Sequence, residues 1–325
     1  MPKAWTVLAA MLLAWAGGAQ AAQKVTLLTS WKAQAEHGGY YTAVAKGYYS
    51  ACGLDVTIRP GGPMVDQKQL LAAGAVDLIQ TSYTDDAFAL NAAGFKARGV
   101  AAFFQKNPQI LMTHPGNGVN SLADMKGKPI MISVGLRATV WPFLREKYGF
   151  TDSQMRSYTG QLQPWLIDPQ AIQQGLITNE PFQVQKQTGT WPKSFLLADN
   201  GYGAYASLIV VPQKMIDETP KAVQCFVDGS ISGWNDFLKD PAPGLALIRK
   251  DNPDNPDDLV AYVVKTLKDQ GIIENAETAK HGLGTMSDER WQSHFEMLAK
   301  AGVVPKGLDY RQAYTLQFVN KRHGM

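Results

Sequence analysis

Six side chains in this sequence combine the shapes and charges needed to hold a small polar molecule: Trp31, His37, Tyr40, Tyr83, Arg137 and Glu180. Aromatic faces supply contact area to a flat ring, while imidazole, carboxylate and guanidinium groups fix its orientation through hydrogen bonds. Bond-making chemistry finds less support. No phosphate-binding G-x-x-x-x-G-K-[ST] loop, no G-x-S-x-G elbow and no H-E-x-x-H pair occurs. The five histidines, His37, His114, His281, His294 and His323, are scattered, with no pair at metal-ligand spacing. The residues therefore predict binding with no catalytic group, no metal and no cofactor.

The elements that must position these groups follow from periodicity. Val25–Thr29 reads as a strand that feeds a polar, aromatic-tipped loop from Trp31 to Tyr40. Tyr41, Val44, Ala45 and Tyr48 then recur at helical spacing, predicting one buried face, and Gly53 ends that helix. The alternation Leu54, Val56, Ile58 predicts a second strand, which opens into the Gly/Pro loop Arg59–Pro63 containing Gly62. A helix over Met64–Ala73 and a strand over Val76–Gln80 follow, the latter ending at Tyr83. This βαβ order implies a parallel sheet with helices on both faces, and ligands bind such sheets beyond the carboxyl ends of the strands.

A second unit repeats the pattern. The interruption His114-Pro115-Gly116 marks a first crossover, and a strand over Pro129–Ser133 leads to Arg137 and a helix that Thr139 can cap, with Pro142 in its first turn. A helix start beside an Arg suits a carboxylate, sulfonate or phosphate. At the end of the segment Asp168–Pro181, Pro181 restricts Glu180 to an extended conformation. The strand Ala206–Val211 returns the chain to the first unit, giving two connections and a hinge. Beyond Pro212 the chain is helical, with Trp234 and Trp291 on core-facing stripes and Pro241–Pro256 as a loop.

Composition bounds the rest. The chain has 325 residues and a formal charge of +3. That length favours two domains, and so small a charge without a dense basic run gives no nucleic-acid signal. Lys3, an apolar run from Ala4 to Ala16 and a small-residue site ending at Ala21 predict a secretory signal peptide over residues 1–21. Two cysteines, Cys52 and Cys225, can bridge in an oxidising compartment or sit apart as buried hydrophobes. Cys52 falls four residues after Tyr48, which favours burial.

The run A-V-A-K-G-Y-Y, G-L-D-V-T-I and P-G-G-P from residue 43 to 63 resembles the periplasmic substrate-binding proteins of ABC importers. Within them it is most similar to the group that binds nitrate, alkanesulfonates, taurine and thiamin pyrimidine precursors. The phrase S-L-A-D-M-K-G-K at 121–128 and the D-P-x-x-x-Q-Q-G-x-x-T-x-E-P run at 168–181 resemble the same group, and in relatives the Glu-Pro corner borders the cleft.

The resemblance implies a two-lobed periplasmic binding protein fold of type II. Residues 22–114 and 207–325 would form lobe 1, and 115–206 lobe 2. It also implies a monomer in the periplasm that captures a small polar, aromatic heterocycle like a thiamin pyrimidine precursor by closing its lobes. The partner is then an inner-membrane ABC permease with its ATPase. The implied ligand set is Trp31, His37, Tyr40, Gly62, Tyr83, Arg137, Thr139 and Glu180. Two alternatives stay open: an alkanesulfonate, nitrate or aromatic carboxylate anchored near Arg137, and a pyrimidine synthase-like enzyme. The usual Asn-His pair of the pyrimidine binders is Glu36-His37 here.

Overall fold

A computed structural model describes residues 21–324. The segment read as a signal peptide lies, apart from Ala21, outside the described residues. The strands are β1 (Gln23–Leu28), β2 (Leu54–Arg59), β3 (Leu78–Thr81), β4 (Ala97–Phe104), β5 (Gln109–Thr113), β6 (Ile130–Ile132), β7 (Met155–Ser157), β8 (Ile172–Leu176), β9 (Lys193–Leu196) and β10 (Ala206–Pro212). They form two mixed five-stranded sheets, ordered β2-β1-β3-β10-β4 and β7-β6-β8-β5-β9. The helices are α1 (Gly38–Ala45), α2 (Gln67–Ala72), α3 (Asp85–Ala92), α4 (Val134–Tyr148), α5 (Gln163–Ile167) and α6 (Glu180–Thr188), then α7 (Gln213–Glu218), α8 (Pro220–Lys239), α9 (Ala242–Asp251), α10 (Asp257–Asp269), α11 (Ala276–His281) and α12 (Asp288–Lys300). Among the described residues no helix is long and apolar enough to cross a membrane.

Each sheet is parallel at its βα core and takes antiparallel strands where the chain passes between lobes. β10 runs antiparallel between β3 and β4, and β5 antiparallel between β8 and β9. The first crossing therefore occupies residues 105–108, since β5 already belongs to the second sheet. The expected boundary after residue 114 falls one strand too late. The second crossing is 197–205. Arg290 of α12 reaches both: its guanidinium donates to the carbonyls of Gly203 (2.6 Å), Ala204 (3.2 Å) and Gln105, and lies 3.8 Å over the Tyr205 ring. Cation, ring and three backbone acceptors thus tie the two crossings to one helix.

Local chemistry moved several boundaries. α1 starts at Gly38 and buries Tyr40 to Ala43, so Val44 and Tyr48 are only half-buried and Ala45 is exposed. The helix can start that early because Gly38 and Gly39 pack on the rings of Phe237 and Trp234; a Cβ on either would come within 2.2 Å of those rings. Ser133, not Thr139, caps α4 by accepting from the Leu136 N–H, which places Pro142 inside the helix. Ile172–Leu176 is a strand, and Glu180 opens α6 instead of holding an extended corner. Pro241–Pro256 contains α9, which packs across α1 and so is dictated by tertiary contact against its own Pro-rich composition.

Cys52 and Cys225 form a disulfide with Cα atoms 5.9 Å apart. Cys52 itself is exposed, not on a buried face, while Cys225 is buried in α8.

Candidate functional site

A cleft of about 910 Å³ opens between the two sheets, lined in part by Asn107 and Pro108 of the first crossing and by Ala206 and Ser207 at the start of β10. Four groups of residues line it. The first is the loop after β1, with Trp31, Gln34, Glu36 and His37; the second is the loop after β2, with Pro63 to Lys68. The third is the end of β3, from Gln80 to Tyr83, and the fourth is the β8–α6 corner, from Gln174 to Glu180. Three of these loops follow parallel strands, so the sheet-edge rule places them together. Asn255, Leu259, Val260 and Val263 close one side from α10 and the turn before it.

The Trp31 loop is held from behind. Asn252 and Asn255 each donate to the Ala33 carbonyl at 2.9 Å, and Gly61 N–H donates to the Trp31 carbonyl at 3.0 Å. A Cβ at Gly61 would stand 2.2 Å from the Thr29 carbonyl oxygen, so only glycine lets the two loops approach this closely. Trp31 keeps 42 % of its surface exposed, an aromatic face presented to the cleft. Tyr83 comes from the first lobe and packs against the core of the second; burial pushes its phenol up to about 12.

His37 is 2 % exposed, and burial pushes its imidazole down to about 4, against an opposing lift from Gln80. It is neutral at pH 7, with Nδ1 unpartnered. Asn107 and Thr178 also line the cleft; Asn107 Nδ2 is buried and without a partner among the described residues, and the buried Thr178 hydroxyl lies beside Glu36, pulling its pKa down. Glu180 accepts from Tyr158 Oη (3.0 Å) and from the Leu176 N–H (2.6 Å). Burial raises its pKa, and those hydrogen bonds pull the other way. Glu36 is pushed up to about 6, chiefly by burial, with the Glu180 charge adding to it.

Gly175 makes room for Glu180: a Cβ there would fall 2.8 Å from the Glu180 Cβ. Gly175→Ala is expected to displace that carboxylate, release its bond to Tyr158 and cost about 1–3 kcal/mol of stability. Chemical denaturation measures the loss, and an unchanged midpoint would show the corner to be looser than its packing indicates.

Trp31, His37, Tyr83 and Glu180 are brought together in the lining. Four other expected positions are not. Tyr40 is wholly buried and reaches the cleft only through Ser207, whose Oγ lies 2.9 Å from its hydroxyl. Gly62 lies beside the lining residue Pro63 and caps a turn, its carbonyl accepting from the Val65 N–H. The Arg137 guanidinium donates to Ser157 (3.2 Å) along α4, and Thr139 donates to the Gly135 carbonyl (3.4 Å); neither lines the cleft. Sequence reasoning missed Gln34, Asn107, Gln109 and Ser207 and left Glu36 without a role. Only Glu36 carried a signal, as an acid two residues from a glycine pair in the loop already singled out.

The lining is acidic. Glu36, Asp66, Asp86 and Glu180 stand against Lys68, the one Lys or Arg in it, and Lys68 is paired with Asp86 at 2.7 Å.

Comparison with known proteins matches this architecture. The periplasmic aliphatic sulphonate binding protein SsuA from Escherichia coli superposes with a TM-score of 0.66 at 14% identity, over 90% of this chain and 92% of that one. The riboflavin-binding protein RibY of Chloroflexus aurantiacus is 26% identical over 306 residues, 91% of this chain and 86% of its own. The 4-amino-5-hydroxymethyl-2-methylpyrimidine phosphate synthase of Schizosaccharomyces pombe is 27% identical over 236 residues, 67% of this chain and 66% of its own. Residues 34–243, from the first cleft loop through both crossings and into α9, match a single family model, and the chain belongs to the NMT1/THI5-like family.

Proposed function

We propose that this chain is the extracytoplasmic solute-binding component of an ABC importer, holding a flat, polar aromatic heterocycle of the pyrimidine-precursor or flavin kind between its lobes. The observation that carries the reading is the interlobe cleft, in which Trp31, Tyr83 and Phe104 stand beside polar groups on His37 and Asn107 that have no partner among the described residues. A ring stacked on the aromatics supplies area, and the unpartnered groups supply orientation. Names in the family point the same way, with riboflavin for one relative and a pyrimidine product for another. An anion reading is disfavoured by the acidic lining and by the position of Arg137 outside it.

The mechanism is capture by differential affinity. Ligand contacts on both lobes exist together only in the closed form, so binding shifts the population toward closure, which an inner-membrane permease can recognise. The N-terminal segment would export the protein to the periplasm as a monomer and be cleaved after Ala21. A synthase is the weaker reading, since the relative matched over most of both chains carries the name of a binding protein.

A thermal-shift panel on refolded, ligand-free protein tests this with pyrimidine precursors, riboflavin, alkanesulfonates and nitrate. A heterocycle at 100 times its dissociation constant should add about 2.7 kcal/mol of stability. Trp31→Ala should weaken that heterocycle by about tenfold to a hundredfold, since stacking on an aromatic is worth about 1–3 kcal/mol per ring. A shift with alkanesulfonate alone would overturn the reading.

A further inference from the structure

Two recessed carboxyl groups face one cleft from opposite lobes. Glu36 enters from the loop after β1, and Glu180 from the corner after β8. They are close enough for the Glu180 charge to act on Glu36. Glu180 accepts one hydrogen bond on each oxygen, from Tyr158 and the Leu176 N–H, which leaves each oxygen able to accept another, and no side chain of opposite charge is paired with Glu36 among the described residues. The lining's lysine is occupied by Asp86. Beside Glu36 lies the buried Thr178 hydroxyl, whose hydrogen bond opposes the effect of burial on that carboxyl, and the buried His37 Nδ1 has no partner among the described residues.

Removing a charged group from water without a compensating hydrogen bond is costly, and two like charges in one cleft add to that cost. Closing the cleft over this pair of carboxyl groups therefore carries an electrostatic cost that a ligand with N–H donors offsets and an anion increases. An aromatic ring without donors fills the space and leaves the carboxyl groups as they were.

Building on the heterocycle reading above, we propose that Glu36, set across the cleft from Glu180, is the specificity determinant that selects ligands bearing N–H donors on one ring edge and excludes anions. Such an edge is an exocyclic amine on a pyrimidine or the imide N–H of a flavin. The two lobes each contribute one acceptor, so the donor edge is fully satisfied only when both lobes are in contact with it.

The test uses two ligand pairs in which N-methylation removes the donors: a 4-aminopyrimidine against its 4-dimethylamino analogue, and riboflavin against its N3-methyl derivative. Calorimetric titration of the refolded mature protein gives the affinity ratio within each pair. Hydrogen bonds to charged groups are worth about 1.5–3 kcal/mol, so for the pair that binds, wild type should prefer the donor-bearing member by about tenfold or more. Glu36→Gln should compress that ratio several-fold and admit a short alkanesulfonate more readily than wild type. A merely structural role for Glu36 would weaken both members equally and leave the ratio unmoved, which overturns the proposal. If wild type binds both members equally, the flat-ring reading stands and the donor selection falls. If wild type binds neither pair, the heterocycle reading falls and this one with it.

Discussion

Cys52→Ser lowers the stability of the protein by about 2–5 kcal/mol, the range expected when a cross-link closing so long a loop is removed. The bond spans 173 residues of sequence and joins the end of the first βα unit to α8. In the unfolded chain it holds together two segments that would otherwise be far apart, and most of its effect is exerted there. Cys52 is the exposed partner, so serine at that position removes the bond without opening a cavity. Guanidinium denaturation of wild type with and without a thiol reductant should reproduce the same difference, and the variant should be indifferent to reductant. Equal midpoints for oxidised and reduced wild type would show that the bond constrains nothing the fold does not already hold.

The second large effect is predicted at Gly39. A Cβ there would stand 2.2 Å from the Trp234 ring, and Gly233 on α8 faces the same seam, where a Cβ would meet the Gly39 carbonyl oxygen at 2.1 Å. Neither contact can relax by turning a flexible side chain, because one neighbour is an indole fully enclosed in the core and the other is backbone. Gly39→Val should therefore force α1 away from α8, with a loss of about 3 kcal/mol or more. His37 immediately precedes α1 in the cleft, so the same shift should weaken ligand binding. Thermal unfolding measures the first effect and titration the second. A variant with wild-type stability and reduced binding would place Gly39 in contact with ligand and not in the seam.

That seam shows where sequence stops being legible. The pair Gly38-Gly39 after Glu36-His37 has the look of a loop opening for a ligand, and nothing local distinguishes it from a helix start flattened against a tryptophan almost two hundred residues later. Tyr40 is misplaced for the same reason: an aromatic at the end of a polar run reads as a cleft residue until Ser207 and Phe103 are seen around it. Two sheets flanked by helices were readable, because βα order and strand alternation are local properties, whereas the expected parallel sheet is in fact mixed, its antiparallel strands entering where the chain crosses. The sheet to which β5 belongs was not, since its five residues are buried on both faces and fit either lobe. Trp31, His37, Tyr83 and Glu180 share the cleft lining because strand-end loops gather at one edge. Arg137 follows a strand end as well, but Ser133 starts α4 earlier and rotates the guanidinium onto Ser157. Asn107 lies in the first crossing, where no periodicity speaks for its direction.

Arg290 has a mechanical meaning beyond its hydrogen bonds. Because a single side chain grips carbonyl oxygens of both crossing segments, those segments cannot bend independently of each other there. A rotation of one sheet against the other must take its axis close to that guanidinium, as the blades of a pair of scissors take theirs at the rivet. Displacement then grows with distance from the rivet, so the backbone beside Gly203 stays nearly still while the outer rim of the cleft sweeps through the full arc. Any travel of the two halves is thereby biased toward rotations that leave that joint in place, and loosening the joint should loosen the travel.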